Sequence, residues 1–204
     1  MANAAYDNSG FGIYKGVFVG SSGTIIININ NENTQINSAI IVIDGLEYAY
    51  TNFTLPTQGE PFTLTFNHNG DSFDFSVDAF GTNPRVTNII INGHPSAEIV
   101  IIKELSNALV ECFTGNYSGS SGDNGVFNIT ISNGLISGMA RSTVSNEGFS
   151  LSGSVLSDGH INGGFSSSGG GLFSGTRSGN QISGTWNNPG AGDSGGWSGH
   201  KWHF

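Results

Sequence analysis

The chain has 204 residues, a formal net charge of −9 and only six Lys and Arg residues. These basic residues form no patch, which argues against a nucleic-acid partner, since phosphate neutralisation needs clustered Lys and Arg. The longest apolar runs, residues 39–43 and 99–102, are far shorter than the ~20 residues of a membrane-spanning helix. We therefore expect no membrane span.

The first half of the chain has the pattern of a β-sheet unit. Apolar runs bounded by Gly, Asn, Asp and Ser predict strands, near residues 12–19, 24–30, 36–43, 46–53, 62–67, 72–80, 86–91 and 97–104. Turn signals separate these strands, including Ser21-Ser22-Gly23, Asp44-Gly45, Asn69-Gly70 and Asn92-Gly93. Several strands are apolar on both faces, so we expect this half to pack against its sister unit or against another copy of the chain.

The second half repeats a triplet of an apolar residue, serine and glycine. Its predicted strands lie near residues 109–118, 126–132, 136–141, 149–156, 161–166, 172–176, 182–187 and 196–203. The triplets are Tyr117-Ser118-Gly119, Ile136-Ser137-Gly138, Leu151-Ser152-Gly153, Phe173-Ser174-Gly175, Ile182-Ser183-Gly184 and Trp197-Ser198-Gly199. Because alternate side chains of a strand share a face, the apolar group and the glycine point one way and the serine the other. Large side chains are expected to lie over the glycines of neighbouring strands.

The two halves are related in sequence. Gly12-Ile-Tyr14-Lys-Gly16 is echoed by Gly115-Asn-Tyr117-Ser-Gly119, each followed by a polar turn and a strand. This indicates a duplicated β unit. The predicted fold is all-β and essentially free of helix, with two tandem antiparallel meanders that form small barrels or sandwiches. We assign residues 1–10 to an N-terminal tail, 11–106 to the first unit and 107–204 to the second, Gly/Ser-rich unit.

The second half also resembles a known type of module. The G-x-Y-x-G opening, the repeated Ser-Gly steps and the closing Ser183-Gly-Thr-Trp186 are similar to the Gly-rich β-meander modules of bacterial secreted proteins and lipoproteins. The resemblance covers residues 115–202. It implies an extracytoplasmic location, and it implies no particular activity.

Aromatic residues are the best candidates for ligand contacts. Trp197, Trp202, Tyr14 and Tyr117 could stack sugar rings while Asn and Ser side chains bind hydroxyl groups. Trp186 shares its face with apolar residues, so the pattern favours core packing for it. Trp197 and Trp202 are five residues apart in one predicted strand, so one of the two is expected on the outer face.

Metal-binding and catalytic patterns are weak. His200 and His203 would lie on opposite faces of a strand, and we expect them to be solvated. Asp74 and Asp78 would be ~13 Å apart along their strand, too far for a glycosidase pair. Two interpretations of the acidic residues near positions 67–71 stay open: a solvated acidic face, or a calcium-binding site. No serine nucleophile motif occurs, and Cys112 has an acidic and apolar setting that does not activate a thiol. We predict no enzymatic activity and no cofactor.

These observations predict a non-catalytic binding module outside the cytoplasm. The expected ligand is a glycan or another small molecule, and the expected location is extracellular or at the cell surface, with any signal peptide already removed. Two alternatives stay open. One is a self-assembling surface protein that associates through its first unit. The other is an enzyme with a site in a barrel mouth, which requires a pocket with convergent polar groups.

Overall fold

A computed structural model describes residues 1–19, 23–167 and 169–203. The chain divides into two compact units, Met1–Val110 and Glu111–His203. The predicted boundary at residues 106/107 lies close to this division. Residues 1–10, expected to be a tail, belong to the first unit, where Ala4–Tyr6 forms a short 3₁₀ turn and Tyr6 contacts the ring of Phe11.

The first unit is an eight-stranded antiparallel sheet. Its strands are β1 (Gly12–Val19), β2 (Gly23–Ile29), β3 (Asn37–Ile43), β4 (Leu46–Asn52), β5 (Phe62–His68), β6 (Asp71–Val77), β7 (Arg85–Ile90) and β8 (Glu98–Glu104). They follow the order β7-β6-β5-β4-β3-β2-β1-β8, so the last strand returns to pair with the first. The sheet is nearly closed, and among the described residues no ladder joins β7 to β8.

Large side chains fill the interior of the first unit. Its buried core includes Tyr14, Phe18, Tyr50, Phe66, Phe73 and Phe75, with isoleucines from β2 and β3. β6 shows the predicted alternation, with Phe73, Phe75 and Val77 buried and the residues between them half-buried. β1 is buried at every position except Lys15, as expected of a strand that is apolar on both faces.

The second unit is a closed eight-stranded barrel. Its strands are β9 (Glu111–Gly119), β10 (Asn124–Ser132), β11 (Leu135–Ser142), β12 (Gly148–Val155), β13 (His160–Phe165), β14 (Gly171–Ser178), β15 (Gln181–Asn188) and β16 (Asp193–Lys201). Each strand pairs antiparallel with the next, and β16 pairs with β9 to close the barrel. In both units the eighth strand lies beside the first, which agrees with a duplicated plan.

The sequence prediction of the fold is confirmed. All sixteen strands occur where apolar patterning predicted them, with shifts of a few residues at their ends. Two predicted hairpin turns, Asp44-Gly45 and Asn69-Gly70, have positive φ at both central residues, as a type I′ turn requires. Asn133-Gly134 in the second unit has the same conformation. The predicted Ser21-Ser22-Gly23 turn falls partly outside the described residues. Within the described part of the chain, no helix is long and apolar enough to span a membrane.

The triplets of the second unit adopt the predicted arrangement. Ile136, Ile182 and the other apolar members face the barrel interior, while serines such as Ser152, Ser174 and Ser183 are exposed. Aromatic rings lie over inward-facing glycines of neighbouring strands. A Cβ built on Gly163 would come within 2.2 Å of the Phe173 ring. Glycine is therefore needed at these positions because the space above its Cα is already occupied by a ring.

Candidate functional site

One end of the second-unit barrel is closed by charged groups. Glu111 on β9 accepts hydrogen bonds from the Arg177 guanidinium at 2.5 and 2.8 Å and from Lys201 Nζ at 2.6 Å. The Arg177 guanidinium lies 5.3 Å from the centroid of the Phe113 ring. Hydrogen bonding from Arg177, supported by Lys201, lowers the pKa of Glu111 below its ordinary value, although burial opposes this. The three side chains form an ion-pair network at this end of the barrel.

Apolar side chains fill the barrel next to the charged network. This layer consists of the buried residues Phe113, Ile131, Ile136, Ile161 and Ile182. Their strand positions place them towards the Glu111 end of the barrel, because Ile131 pairs with Glu111 and Arg177 pairs with Ile182. The closed end is therefore a packed core.

The other half of the barrel contains a cavity of about 300 Å³. Seven aromatic residues of the described chain line it: Tyr117, Phe127, Phe149, Phe165, Phe173, Trp186 and Trp197. Its volume lies at the lower end of the range for small-molecule sites. Exposed residues of the loops, among them Ser121, Ser145 and Glu147, also line the cavity, so it opens to solvent at this end.

The rings lie against the barrel wall because glycines make room for them. Trp197 lies over Gly175 and Gly184, and a Cβ on either glycine would come within 2.6 Å of the ring atom Cζ2. Trp186 lies over Gly195, where a Cβ would come within 2.8 Å of the indole nitrogen Nε1. Because the rings lie directly against the glycine backbone of the wall, the centre of the barrel mouth stays open.

Edge-to-face contacts and backbone hydrogen bonds fix the tryptophan rings. Trp186 meets Tyr117 and Phe165 at centroid distances of 5.9 and 6.0 Å, and Trp197 meets Phe127 and Phe173 at 5.7 and 6.2 Å. These T-shaped pairs are a favoured aromatic geometry. Each indole N–H also donates to a backbone carbonyl, that of Ser118 for Trp186 and that of Thr185 for Trp197. The lining is thus preorganised.

Three carboxylates surround the mouth of the cavity. Asp193 accepts hydrogen bonds from the hydroxyls of Ser120 and Ser121 and from the backbone N–H groups of Ser121 and Ser194. These donors, the serine hydroxyls foremost, lower the pKa of Asp193 to about 2. The carboxylate is ionised at neutral pH and holds the β9–β10 turn beside β16.

The other two carboxylates lie near the hydroxyl of Tyr117. Asp123 accepts from Tyr117 Oη at 3.1 Å and from Ser142 Oγ at 2.6 Å. Burial raises the pKa of the Tyr117 hydroxyl, and the charges of Asp123 and Glu147 raise it further. The Glu147 side chain is exposed and accepts no hydrogen bond from the described residues. The mouth therefore carries negative charge with one uncommitted carboxylate.

The four predicted ligand-contact residues fall in different places. Tyr117 and Trp197 both line the cavity. Tyr14 is fully buried in the first unit, where its hydroxyl donates to the Gly10 carbonyl, so a ligand has no access to its ring. Trp202 follows β16, is half-buried and lies outside the cavity lining. Two of the four residues, Tyr117 and Trp197, thus belong to one cavity.

Sequence reasoning missed Trp186, which was predicted to be core. It lines the cavity and is half-buried. Phe149, Phe165 and Phe173 also line the cavity and are half-buried. Their inward orientation was readable from strand alternation, but an inward ring can fill a core or border a cavity. Only the position of each ring along the closed barrel distinguishes the two.

The other candidate sites are occupied by ordinary hydrogen bonds. Asp71 accepts from the Asn92 backbone N–H, and Asp74 accepts from Thr65 and Asn88. His203 lies beyond β16, with its Nε2 3.3 Å from the Asn180 amide nitrogen. Among the residues described, no cluster of three or more His, Cys, Asp or Glu could hold a metal ion. Cys112 is buried and is not paired in a disulfide.

No family model matches the chain, and no curated protein matches it. One solved structure, described as a surface lipoprotein, is similar with a TM-score of 0.36 and 9% identity. The similarity covers 93% of this chain and 98% of that one. A TM-score this low establishes neither a common fold nor a common function.

Proposed function

We propose that the second unit is a binding module that takes a small ligand with an apolar or aromatic body into the open half of its barrel. The observation that carries this proposal is the cavity of about 300 Å³ lined by seven aromatic side chains. A cavity of 150 Å³ in an apolar core suffices for benzene, so this one has room for a ligand of roughly two rings.

Preorganisation supports a binding role. The rings are held by glycine backbone, by edge-to-face contacts and by indole hydrogen bonds before any ligand enters. A ligand therefore gains apolar contact without paying to order these side chains. In the first unit, by contrast, aromatic side chains such as Tyr50, Phe66 and Phe73 pack on one another in the core.

The proposed role is binding without turnover. Asp193 is tied to four donors and remains ionised, which makes it a poor proton donor to a ligand. Asp123 is held by Tyr117 and Ser142. We therefore propose that Asp193 and Asp123 support structure and recognition rather than acid–base catalysis.

Calorimetric titration of the full chain with indole, a neutral two-ring probe, tests the proposal. We expect binding to the unmodified chain and at least tenfold weaker binding to Trp197→Ala, since the variant loses a large part of the apolar lining. Trp202→Ala is the matched control, and its affinity should equal that of the unmodified chain. Absence of binding, or equal loss in both variants, would overturn the proposal.

A saccharide end group is the second candidate ligand. Hydroxyl and amide groups of Ser121, Ser145 and Asn188 border the same aromatic lining, and sugar rings combine apolar faces with hydroxyl edges. Because the other end of the barrel is packed, the cavity has room for a terminal sugar but not for a continuous chain. Glycan arrays probed with the unmodified chain and with Trp197→Ala separate this candidate from other ligands, because only a glycan ligand gives signals that the substitution removes.

We also propose that the protein works outside the cytoplasm, at the cell surface. Support comes from the low content of charged residues, 10%, and the Gly/Ser-rich strands of the second unit. Protease treatment of intact source cells tests this location. Digestion of the protein in intact cells is expected, and protection until lysis would contradict it.

A further inference from the structure

The charged side chains that line the cavity are all acidic. They are Asp123, Glu147 and Asp193, and no Lys, Arg or His is among the lining residues of the described chain. Arg177 and Lys201 are engaged with Glu111 at the closed end. Arg141 follows the inward-facing Ala140 on β11, so strand alternation places it on the outer face, where it bonds to Asn146. An anionic ligand would find no counter-ion in this cavity.

The aromatic lining favours the opposite charge. The face of an aromatic ring attracts cations through its quadrupole, most strongly for tryptophan, and aromatic sites with nearby carboxylates are suited to organic ammonium groups. Two tryptophans, Trp186 and Trp197, lie in the same lining as the three carboxylates. Apolar volume and negative charge thus occur in one site, in the arrangement that an amphiphilic cation would match.

The carboxylates differ in how much of their charge is already committed. Asp193 accepts four hydrogen bonds from the turn that it holds, and Asp123 accepts two from the barrel wall. Glu147 lies in the β11–β12 loop and is exposed, and its carboxylate accepts no hydrogen bond from the described residues. It is the carboxylate that can turn towards a bound charge.

We propose that the ligand is an organic cation whose ring or alkyl body occupies the aromatic cavity while its ammonium group faces Glu147 and Asp123. This inference rests on the function proposed above, since it specifies the ligand class of the same site. The same charge distribution disfavours fatty acids and other anionic amphiphiles.

Three probes of closely similar shape test the inference on the full chain. Benzyltrimethylammonium is cationic, neopentylbenzene is its neutral isostere, and phenylmethanesulfonate is an anion with a tetrahedral head. Affinities are measured by ligand-detected NMR titration at low and high salt. We expect the cation to bind at least tenfold more tightly than either of the others at low salt, with the difference shrinking as salt rises.

Glu147→Gln and Asp158→Asn are the matched variants. Each removes one carboxylate from the second unit, but Asp158 lies in the β12–β13 turn at the closed end. Glu147→Gln should weaken the cation about fivefold and leave the neutral isostere unchanged, whereas Asp158→Asn should change neither.

The possible failures are distinguishable. If indole and neopentylbenzene bind as tightly as the cation, or if Glu147→Gln has no effect, the cation inference is wrong and the small-ligand function stands. Tighter binding of the anion would likewise overturn the inference. If neither indole nor any of the three probes binds, the proposed function is wrong and the inference fails with it.

Discussion

Trp197 lies over Gly184 of the neighbouring strand, so close that a Cβ on the glycine would come within 2.6 Å of the ring atom Cζ2. The same ring atom would be 2.5 Å from a Cβ on Gly175, one strand further round the barrel. One indole therefore spans the bare backbone of two strands. The open cavity depends on this arrangement, because a ring displaced from the wall would enter the lumen.

Substitution of this glycine should destabilise the barrel. In Gly184→Ala the new methyl group would meet the Ser174 carbonyl oxygen at 1.9 Å as well as the Trp197 ring. Because the backbone at Ser174 would have to move to make room, we expect a loss of about 2 kcal/mol or more in the free energy of unfolding. Urea denaturation measures the loss.

Gly196→Ala is the control for this prediction. Gly196 lies on β16, and a Cβ there would meet nothing closer than the Gly184 carbonyl oxygen at 3.8 Å. We expect a change within about 0.5 kcal/mol, as for other uncrowded surface substitutions. Equal stability of the two variants would contradict the role assigned to the wall glycines.

The charged network at the closed end should stabilise the barrel at neutral pH. Glu111→Gln removes the ion pairs with Arg177 and Lys201 while preserving side-chain shape. We expect the free energy of unfolding to fall by about 1–2 kcal/mol. This is less than the usual contribution of hydrogen bonds to charged groups, because the three side chains are a fifth to a quarter exposed.

The effect of Glu111→Gln should depend on pH in a defined direction. The folded pKa of Glu111 lies below its ordinary value of 4.5, so the carboxylate contributes stability fully above that value. The contribution is lost as pH falls through the folded pKa. The stability difference between the two proteins, measured by urea denaturation from pH 7 downwards, should therefore shrink below pH 4.5. A difference that stays constant would contradict the assignment.

Asp193 should stabilise the turn at the cavity mouth while its carboxylate is ionised. Its pKa is lowered from 3.8 to about 2, so its contribution is complete above pH 3.8 and disappears as pH falls towards 2. Asp193→Asn should lower the melting temperature at pH 7 and speed exchange of the Ser121 amide, whose acceptor is Asp193. Near pH 2 the melting temperatures should converge. Asp158→Asn, which keeps a turn-forming residue before Gly159, should leave Ser121 exchange unchanged.

The sequence predicted the fold well because its signals are local. Strand alternation and turn pairs such as Asn69-Gly70 depend on residues next to each other in the chain, and each predicted strand is present. Barrel closure was left open between a barrel and a sandwich. It depends on the pairing of β9 with β16, which joins residues such as Tyr117 and Trp197 from opposite ends of the second unit.

The candidate site could be predicted only in part, as the two related tyrosines illustrate. Tyr14 and Tyr117 occupy equivalent Gly-x-Tyr motifs on the first strand of their units. Tyr14 is packed against Phe75 at a ring-centroid distance of 4.8 Å, in a core filled by large side chains. Tyr117 faces a barrel whose neighbouring positions are glycines, such as Gly125 opposite it on β10. The motif is the same, and the residues across the interior decide whether its ring is buried or borders a cavity.

Filling the cavity is the most direct test that it is the functional site. Ala140 lines the cavity, and Ala140→Phe would place a benzyl group in it. Leu172→Phe adds a ring at a position that is 65% exposed and serves as the control. Calorimetric titration with indole should show unchanged affinity for Leu172→Phe and at least tenfold weaker binding, or none, for Ala140→Phe. Equal binding to the two variants, with both folded, would contradict a ligand site inside the barrel.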